Sequence, residues 1–176
     1  MLSLLHIENI AVVESADIAF DEGFNVLTGE TGAAKSIVVD SIGAVLGART
    51  SRDLVRSGAG RASVTALFCD LSPESLAALS ALGVAPDEDG CLLVTREISA
   101  DGRGVCRVGG RPATAAILRG MAPYLINIHG QHDSQQLLDD AAHIRYLDAF
   151  AHADGALAAY QEAYTAWQKT QKEIEK

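Results

Sequence analysis

The spacing of apolar and polar positions changes several times along the chain, and each change predicts an element. Leu2 to Glu8 is short and mostly apolar and predicts a strand, with the weakly alternating Ala16 to Phe20 as its partner. Asp21-Glu22-Gly23 is a turn signal, and Phe24-Asn25-Val26-Leu27 predicts another short strand. From Ile37 to Leu46 the spacing becomes helical, with Ile37, Val38, Ser41, Ile42 and Val45 on one face and Gly47 as the stop. Arg49 to Arg61 is a loop rich in Ser, Gly and Arg. Ser63 to Cys69 alternates and predicts a strand. Ser72 as N-cap and Pro73 at the first helical position open a helix through Leu82 that ends at Gly83. Cys91 to Ile98 and Gly104 to Val108 flank the turn Ser99-Ala100-Asp101-Gly102 and predict a hairpin. Thr114 to Met121 predicts a short helix, and Tyr124 to Ile128 a buried strand leading into Gly130-Gln131-His132-Asp133.

From about Asp139 the pattern is helical to the end. Leu157, Tyr160, Tyr164, Trp167, Gln171 and Ile174 follow a 3,4,3,4,3 spacing, the a/d register of a coiled coil. An amphipathic helix docked on its own domain explains the same residues equally well. The pattern stops without a cap, from which we expect the native chain to continue. The expected organisation is a first domain over 1–138 and a helical segment over 139–176.

Composition narrows the classes. Hydrophobic residues make up 48% of the 176 and charged residues 21%, enough apolar side chains for a packed core. No apolar run reaches the roughly 18 residues of a membrane span, and the N-terminus lacks a basic leader before Glu8 and Glu14. Cys69, Cys91 and Cys106 are odd in number and have no CxxC spacing. The expectation is therefore a reducing cytoplasm, with neither a disulfide framework nor a zinc site. A net charge of -9 argues against a chain that coats nucleic acid by bulk charge. Between Arg49 and Arg119, however, nine basic residues face eight acidic ones, against five and fifteen elsewhere. A local basic surface there and scattered solvated arginines are both open readings.

One segment carries chemistry. Gly29-Glu30-Thr31-Gly32-Ala33-Ala34-Lys35-Ser36 matches G-x-x-x-x-G-K-[ST], the phosphate-loop pattern, except at Ala34. A strand before it and a helix after it are the context such a loop requires. Main-chain N–H groups of the loop and the helix N-terminus would cradle phosphate. Gly29 and Gly32 would let the backbone approach the ligand, Lys35 would reach the β- and γ-phosphates, and the Ser36 hydroxyl would ligate magnesium. If residue 34 needs a positive φ, its β-carbon strains the loop by about 1 kcal/mol or more. A chance Lys-Ser after a glycine-rich turn is the bland alternative.

In order along the chain stand Leu4-x-x-Ile7-x-Asn9, the loop Thr28 to Ser36, Asp40-Ser41-Ile42 with Val45-Leu46-Gly47, Val108-Gly109-Gly110-Arg111-Pro112, and Ile128-His129-Gly130-Gln131-His132-Asp133. Together they resemble the N-terminal half of the head of the RecN family, bacterial DNA repair proteins related to the SMC ATPases. The likeness covers essentially the whole chain, with glycine in the family where Ala34 stands. It implies an α/β fold: the N-terminal lobe of an ABC-type ATPase head, a mixed β-sheet with helices, ending at the start of a long coiled coil. It implies ATP and Mg2+ as ligands, with Gln131 as the Q-loop residue near magnesium or the attacking water. Arg56 resembles an arginine that in SMC heads lies near the nucleotide or contacts DNA; a plain surface arginine is equally compatible. The signature motif, the Walker B motif and the catalytic glutamate belong to the C-terminal half in this family. This chain has no Leu-Ser-Gly-Gly, and Ala66-Leu67-Phe68-Cys69-Asp70 reads better as a core strand ending in a turn Asp than as Walker B.

The resemblance further implies partners: the C-terminal half of the same head, a second head, and DNA ends or single-stranded tails, with no membrane and a cytoplasmic, nucleoid-associated location. The chain alone is expected to be inactive as an ATPase. Two other classes compete. One is a complete small P-loop NTPase or kinase, the other a non-catalytic module with a degenerate loop. A metal site at His129, His132 and Asp133 is a weaker idea, because three ligands within five residues rarely converge on one ion.

Overall fold

The computed structural model describes residues 1–28, 32–126, 128 and 140–174. It divides into two compact units, Met1–Asn127 and Ile128–Lys176. The first unit holds a six-stranded sheet in the order β2-β1-β3-β4-β5-β6. Its strands are β1 (Leu2–Ile10), β2 (Val13–Ala19), β3 (Arg61–Phe68), β4 (Leu92–Ser99), β5 (Gly104–Val108) and β6 (Arg111–Ala113). Every pairing between these strands is antiparallel. Helices α1 (Gly32–Val45), α2 (Pro73–Ala81) and α3 (Ala115–Leu125) complete the unit.

Period-2 alternation sets the core face. Ala62, Val64, Ala66 and Phe68 of β3 and Leu92, Val94, Arg96 and Ile98 of β4 are buried, and the alternate residues between them are not. Helix α1 adds Ile37, Ile42 and Val45, Leu46 follows just past its end, and α2 and α3 add Leu79, Leu118 and Met121. Ser41 of α1 is fully buried and satisfies its hydroxyl by donating to the Ile37 carbonyl at 2.6 Å. Arg96 of β4 shares the core face; only its Nη2 finds a partner, Thr50 Oγ1 at 3.3 Å.

The end of α1 is fixed by backbone geometry. Gly47 lies at φ +89°. Its N–H reaches the Ala44 carbonyl, and that of Ala48 reaches Gly43, a Schellman ending. The same glycine lets α3 pass closely. A β-carbon on Gly47 would sit 2.7 Å from the Ala115 carbonyl oxygen and 2.9 Å from Arg119 N. Arg119 Nη1 in turn donates to the Gly47 carbonyl at 3.2 Å. Helix α2 opens as its sequence suggested, with Ser72 Oγ accepting from Ser75 N and Pro73 at the first position. The side-chain hydroxyl of Ser75 donates to the Tyr124 carbonyl at 2.7 Å and so ties α2 to α3.

Three expectations are corrected. Residues 24–27 form no strand: Phe24 is 92% exposed and Val26 63%, and no described strand lies beside them. A strand needs a neighbour for its N–H and C=O groups. Here Asn25 instead closes a loop, donating from Nδ2 to the Asp21 carbonyl and accepting from Asp21 N. Tyr124 and Leu125 belong to α3, which runs a turn past the expected end at Met121. The cysteines are the third correction, because Cys69 and Cys91 are joined in a disulfide and only Cys106 is free. The β3–β4 register pairs Phe68 with Leu92, so the next two residues outward face each other with their Cα atoms 4.3 Å apart. Counting cysteines and looking for CxxC could not find a pair made by strand register. Asp70 follows at φ +51° and is exposed, as a turn residue would be.

The second unit contains α4 (Asp140–Phe150) and α5 (Asp154–Ile174), separated at Ala151–Ala153, with His152 at φ +50°. Along α5, Tyr160 stacks on Tyr164 at 5.8 Å between ring centroids, and Tyr164 meets Trp167 at a tilt with centroids 5.5 Å apart. These rings remain 65%, 44% and 55% exposed.

Candidate functional site

The phosphate-loop segment runs directly into α1. Helical backbone begins at Gly32, five residues earlier than the apolar spacing suggested, so Gly32, Ala33 and Ala34 lie in its first turn. The first four N–H groups of an α-helix have no partner within it. The helix dipole adds partial positive charge at the same place. No acidic residue stands in the first turn of α1 to compete for these donors. Lys35 and Ser36 follow one turn in, and both are exposed. A helix start that gathers main-chain donors, an ammonium group and a hydroxyl is a donor set for phosphate. Gly29, Glu30, Thr31 and Gln131 lie outside the described residues, as do His129, His132 and Asp133. No metal-ligating cluster occurs among the described residues.

Helical backbone at Ala34 changes the meaning of its methyl group. Residue 34 is not at positive φ, so no left-handed strain attaches to alanine there. In general, a β-carbon beside main-chain amides takes up space that an anion bound to them would use. Ala34→Gly should therefore tighten Mg-ATP binding about tenfold at most, even though glycine weakens the helix by roughly 1 kcal/mol. Titration calorimetry of the two chains measures this, and equal or weaker binding by the glycine variant would dismiss the proximity argument.

Arg56 is positioned from a different direction. The β1–β2 connection places Asn9 at φ +54° and Ala11 at φ +48°. This turn grips the segment after α1: Ala11 N donates to the Leu54 carbonyl at 2.8 Å, and Arg56 N donates to the Asn9 carbonyl at 2.9 Å. Ile10 and Val55 form a bridge between them. The Arg56 guanidinium pairs with Glu14 at 3.0 Å. It lines a surface cleft of about 450 Å³ with Asn9, Glu14, Ser57 and Arg61, and neither Lys35 nor Ser36 is among the described residues that line it. Arg61 pairs more loosely with Glu97, at 3.7 Å. Sequence reading offered Arg61 only among the arginines of 49–119 and Asn9 only as part of a motif, and it missed Glu14, since a contact spanning 42 positions leaves no local signal.

The family described as AAA domain matches residues 4–73, which include the whole phosphate-loop segment. DNA repair protein RecN of Bacillus subtilis is 40% identical over 176 residues, 99% of this chain and 31% of that protein. RecN of Halalkalibacterium halodurans is 39% identical over 178 residues, with the same coverage. In sequence, this chain is similar to the N-terminal part of the RecN proteins. It spans about 31% of the length of these curated relatives. Among solved structures, the Smc head domain with a coiled coil and joint from Pyrococcus yayanosii superposes with a TM-score of 0.60. That match covers 99% of this chain and 40% of that one at 21% identity, and it establishes the SMC-head type of fold. No helix among the described residues is long and apolar enough to cross a membrane.

Proposed function

We propose that this RecN-type chain is the nucleotide-binding half of an SMC-like ATPase head that works in repair of DNA double-strand breaks by homologous recombination. Residues 1–138 form the N-terminal half of the head, and 139–176 lead into a coiled coil. The observation that carries this reading is the start of α1. A glycine-rich segment of phosphate-loop wording feeds a helix whose first amides, Lys35 and Ser36 are grouped at one end.

The division of labour follows from the chemistry of the donors. Main-chain amides of 29–36 hold the phosphates and fix their direction. The Lys35 ammonium neutralises charge at the β- and γ-phosphates, where it builds up during transfer. Ser36 and Gln131 would hold Mg2+, which supplies charge neutralisation across the phosphate oxygens. Gln131 would also orient water near the γ-phosphate. Nothing in this chain activates that water, so hydrolysis needs the signature motif of a second head and the catalytic glutamate of the C-terminal half. ATP binding would thereby join heads, and hydrolysis would part them. DNA is the remaining partner, contacting the Arg56–Arg61 cleft and neighbouring arginines, in a cytoplasmic protein associated with the nucleoid.

Turnover by the isolated chain is expected to be negligible. Co-producing it with the remaining, C-terminal portion of such a protein should restore ATPase activity. DNA should raise that activity at low salt, with the effect falling steeply as salt increases. Robust ATPase activity in the isolated 176 residues would instead favour a complete small NTPase.

A further inference from the structure

The disulfide has no place in the nucleotide chemistry, and its setting is unusual. Cys69 and Cys91 stand one residue beyond the last paired rung of β3 and β4, Phe68 with Leu92. At their own rung the two backbones exchange no hydrogen bond. Cys69 N donates to the Met1 carbonyl, and the Met1 amino group donates to the Cys69 carbonyl. Cys91 N donates to Asp87 Oδ1 at 2.8 Å, and the Cys91 carbonyl accepts from Asp87 N at 2.8 Å. All four polar backbone groups are engaged elsewhere, and sulfur alone links the strands at this point. Directly opposed residues that share no backbone hydrogen bonds are the closer kind of antiparallel pair, in keeping with the 4.3 Å between Cα atoms.

The bond closes the whole excursion from Asp70 to Gly90, which contains α2. That excursion braces the first unit. Leu79 is fully buried, Ser75 holds the Tyr124 carbonyl, and Leu82 lies against Gly120 of α3. Helix α3 then holds the end of α1 through Arg119 and Gly47. Both cysteines are half-buried rather than sealed in the core, and Cys91 lines an open cleft of about 410 Å³ with Leu82, Asp87 and Arg111. In the DNA-containing, reducing compartment implied by the proposed repair function, a disulfide does not persist as a passive staple.

We propose that Cys69 and Cys91 form an oxidation-responsive clip on the α2 excursion, closed by a peroxide and opened by a dithiol. This inference rests on the repair reading only for the compartment. Closing proceeds by attack of one thiolate on the peroxide O–O bond, which yields a sulfenic acid and, after protonation, water. The second thiol attacks that sulfur, the S–S bond forms, the S–O bond breaks, and hydroxide leaves as a second water. Two sulfur atoms lose two electrons and one peroxide gains them. Opening runs through a mixed disulfide with the dithiol, whose second sulfur releases the protein thiol as the reductant itself becomes a disulfide.

Thiol counting, hydrogen exchange and melting of the native 176-residue chain test the clip, using hydrogen peroxide as oxidant and dithiothreitol as reductant. Oxidised protein alkylated after denaturation should show one thiol, Cys106, and reduced protein three. Reduction should lower Tm by roughly 5–15 °C. It should also speed amide exchange over 73–82 while leaving the interior amides of β3 and β4 protected. A Cys69→Ser/Cys91→Ser chain should behave like the reduced protein under both conditions, and Cys106→Ser should keep the full response. Three thiols after peroxide treatment would overturn the proposal. So would a bond that dithiothreitol reaches only after unfolding, or a reduction that leaves Tm and exchange over 73–82 unchanged. None of these readouts uses nucleotide, so failure here and failure to bind Mg-ATP are separate results.

Discussion

Lys35→Ala is expected to weaken Mg-ATP binding by about 30- to 1,000-fold while leaving the unliganded fold intact. The size follows from removing the cationic partner of a triphosphate held against main-chain amides, a loss of roughly 2–4 kcal/mol. The selectivity follows from position. Lys35 is exposed, outside the packed stripe of Ile37, Ser41, Ile42 and Val45 that fastens α1 to the sheet. Truncating an exposed side chain there should shift stability by no more than about 0.5 kcal/mol. Calorimetry with Mg-ATP and a melting curve without it separate the two effects. Unchanged affinity would mean that phosphate sits elsewhere. A collapsed melting temperature would mean that Lys35 is structural.

Gly47→Ala should be the most damaging single methyl group in the first unit. Two costs combine at this position. The φ of +89° disfavours any side chain by about 1 kcal/mol. The added β-carbon would also meet the Ala115 carbonyl oxygen at 2.7 Å and Arg119 N at 2.9 Å. Backbone atoms of a packed helix cannot swing aside, so overpacking adds about 1–3 kcal/mol. The total, roughly 2–4 kcal/mol, corresponds to a fall in Tm of about 5–15 °C. Gly58→Ala is the matched control, since Gly58 has φ +85° but open space around its would-be β-carbon. It carries the conformational cost without the collision and should lose about 1 kcal/mol. Equal losses at the two sites would show that α3 yields to the methyl group. If the start of α1 binds phosphate as proposed, Gly47→Ala at its other end should also weaken nucleotide binding.

What the sequence disclosed depended on how local the cause was. The Ser72 cap with Pro73, the β4–β5 hairpin, the apolar stripe of α1 and its glycine stop are each written within a few residues, and each is found in place. The SMC-head type of fold was legible through the resemblance carried by the motifs from Thr28 to Asp133, while only the helical half of the phosphate loop's expected context is found, since residues 24–27 form no strand. Phe24 to Leu27 misled because a strand is a property of two segments; these four residues have the composition of a strand but no described neighbour. The start of α1 was missed because apolar periodicity begins only where the helix meets the sheet, and Gly32 to Ser36 precede that contact. Arg56 was picked out by resemblance, but its grip by Asn9 and Glu14 depends on a turn more than 40 residues away. The Cys69–Cys91 pairing needed the β3–β4 register, which composition does not contain.

Crystallising this chain with Mg2+ and a non-hydrolysable ATP analogue tests the phosphate-loop assignment most directly. We expect the β-phosphate within hydrogen-bond distance of the amides at the start of α1, with the Lys35 ammonium against the β- and γ-phosphates and Mg2+ on the Ser36 hydroxyl. Nucleotide bound at any other surface, with those amides turned into protein contacts, would contradict it.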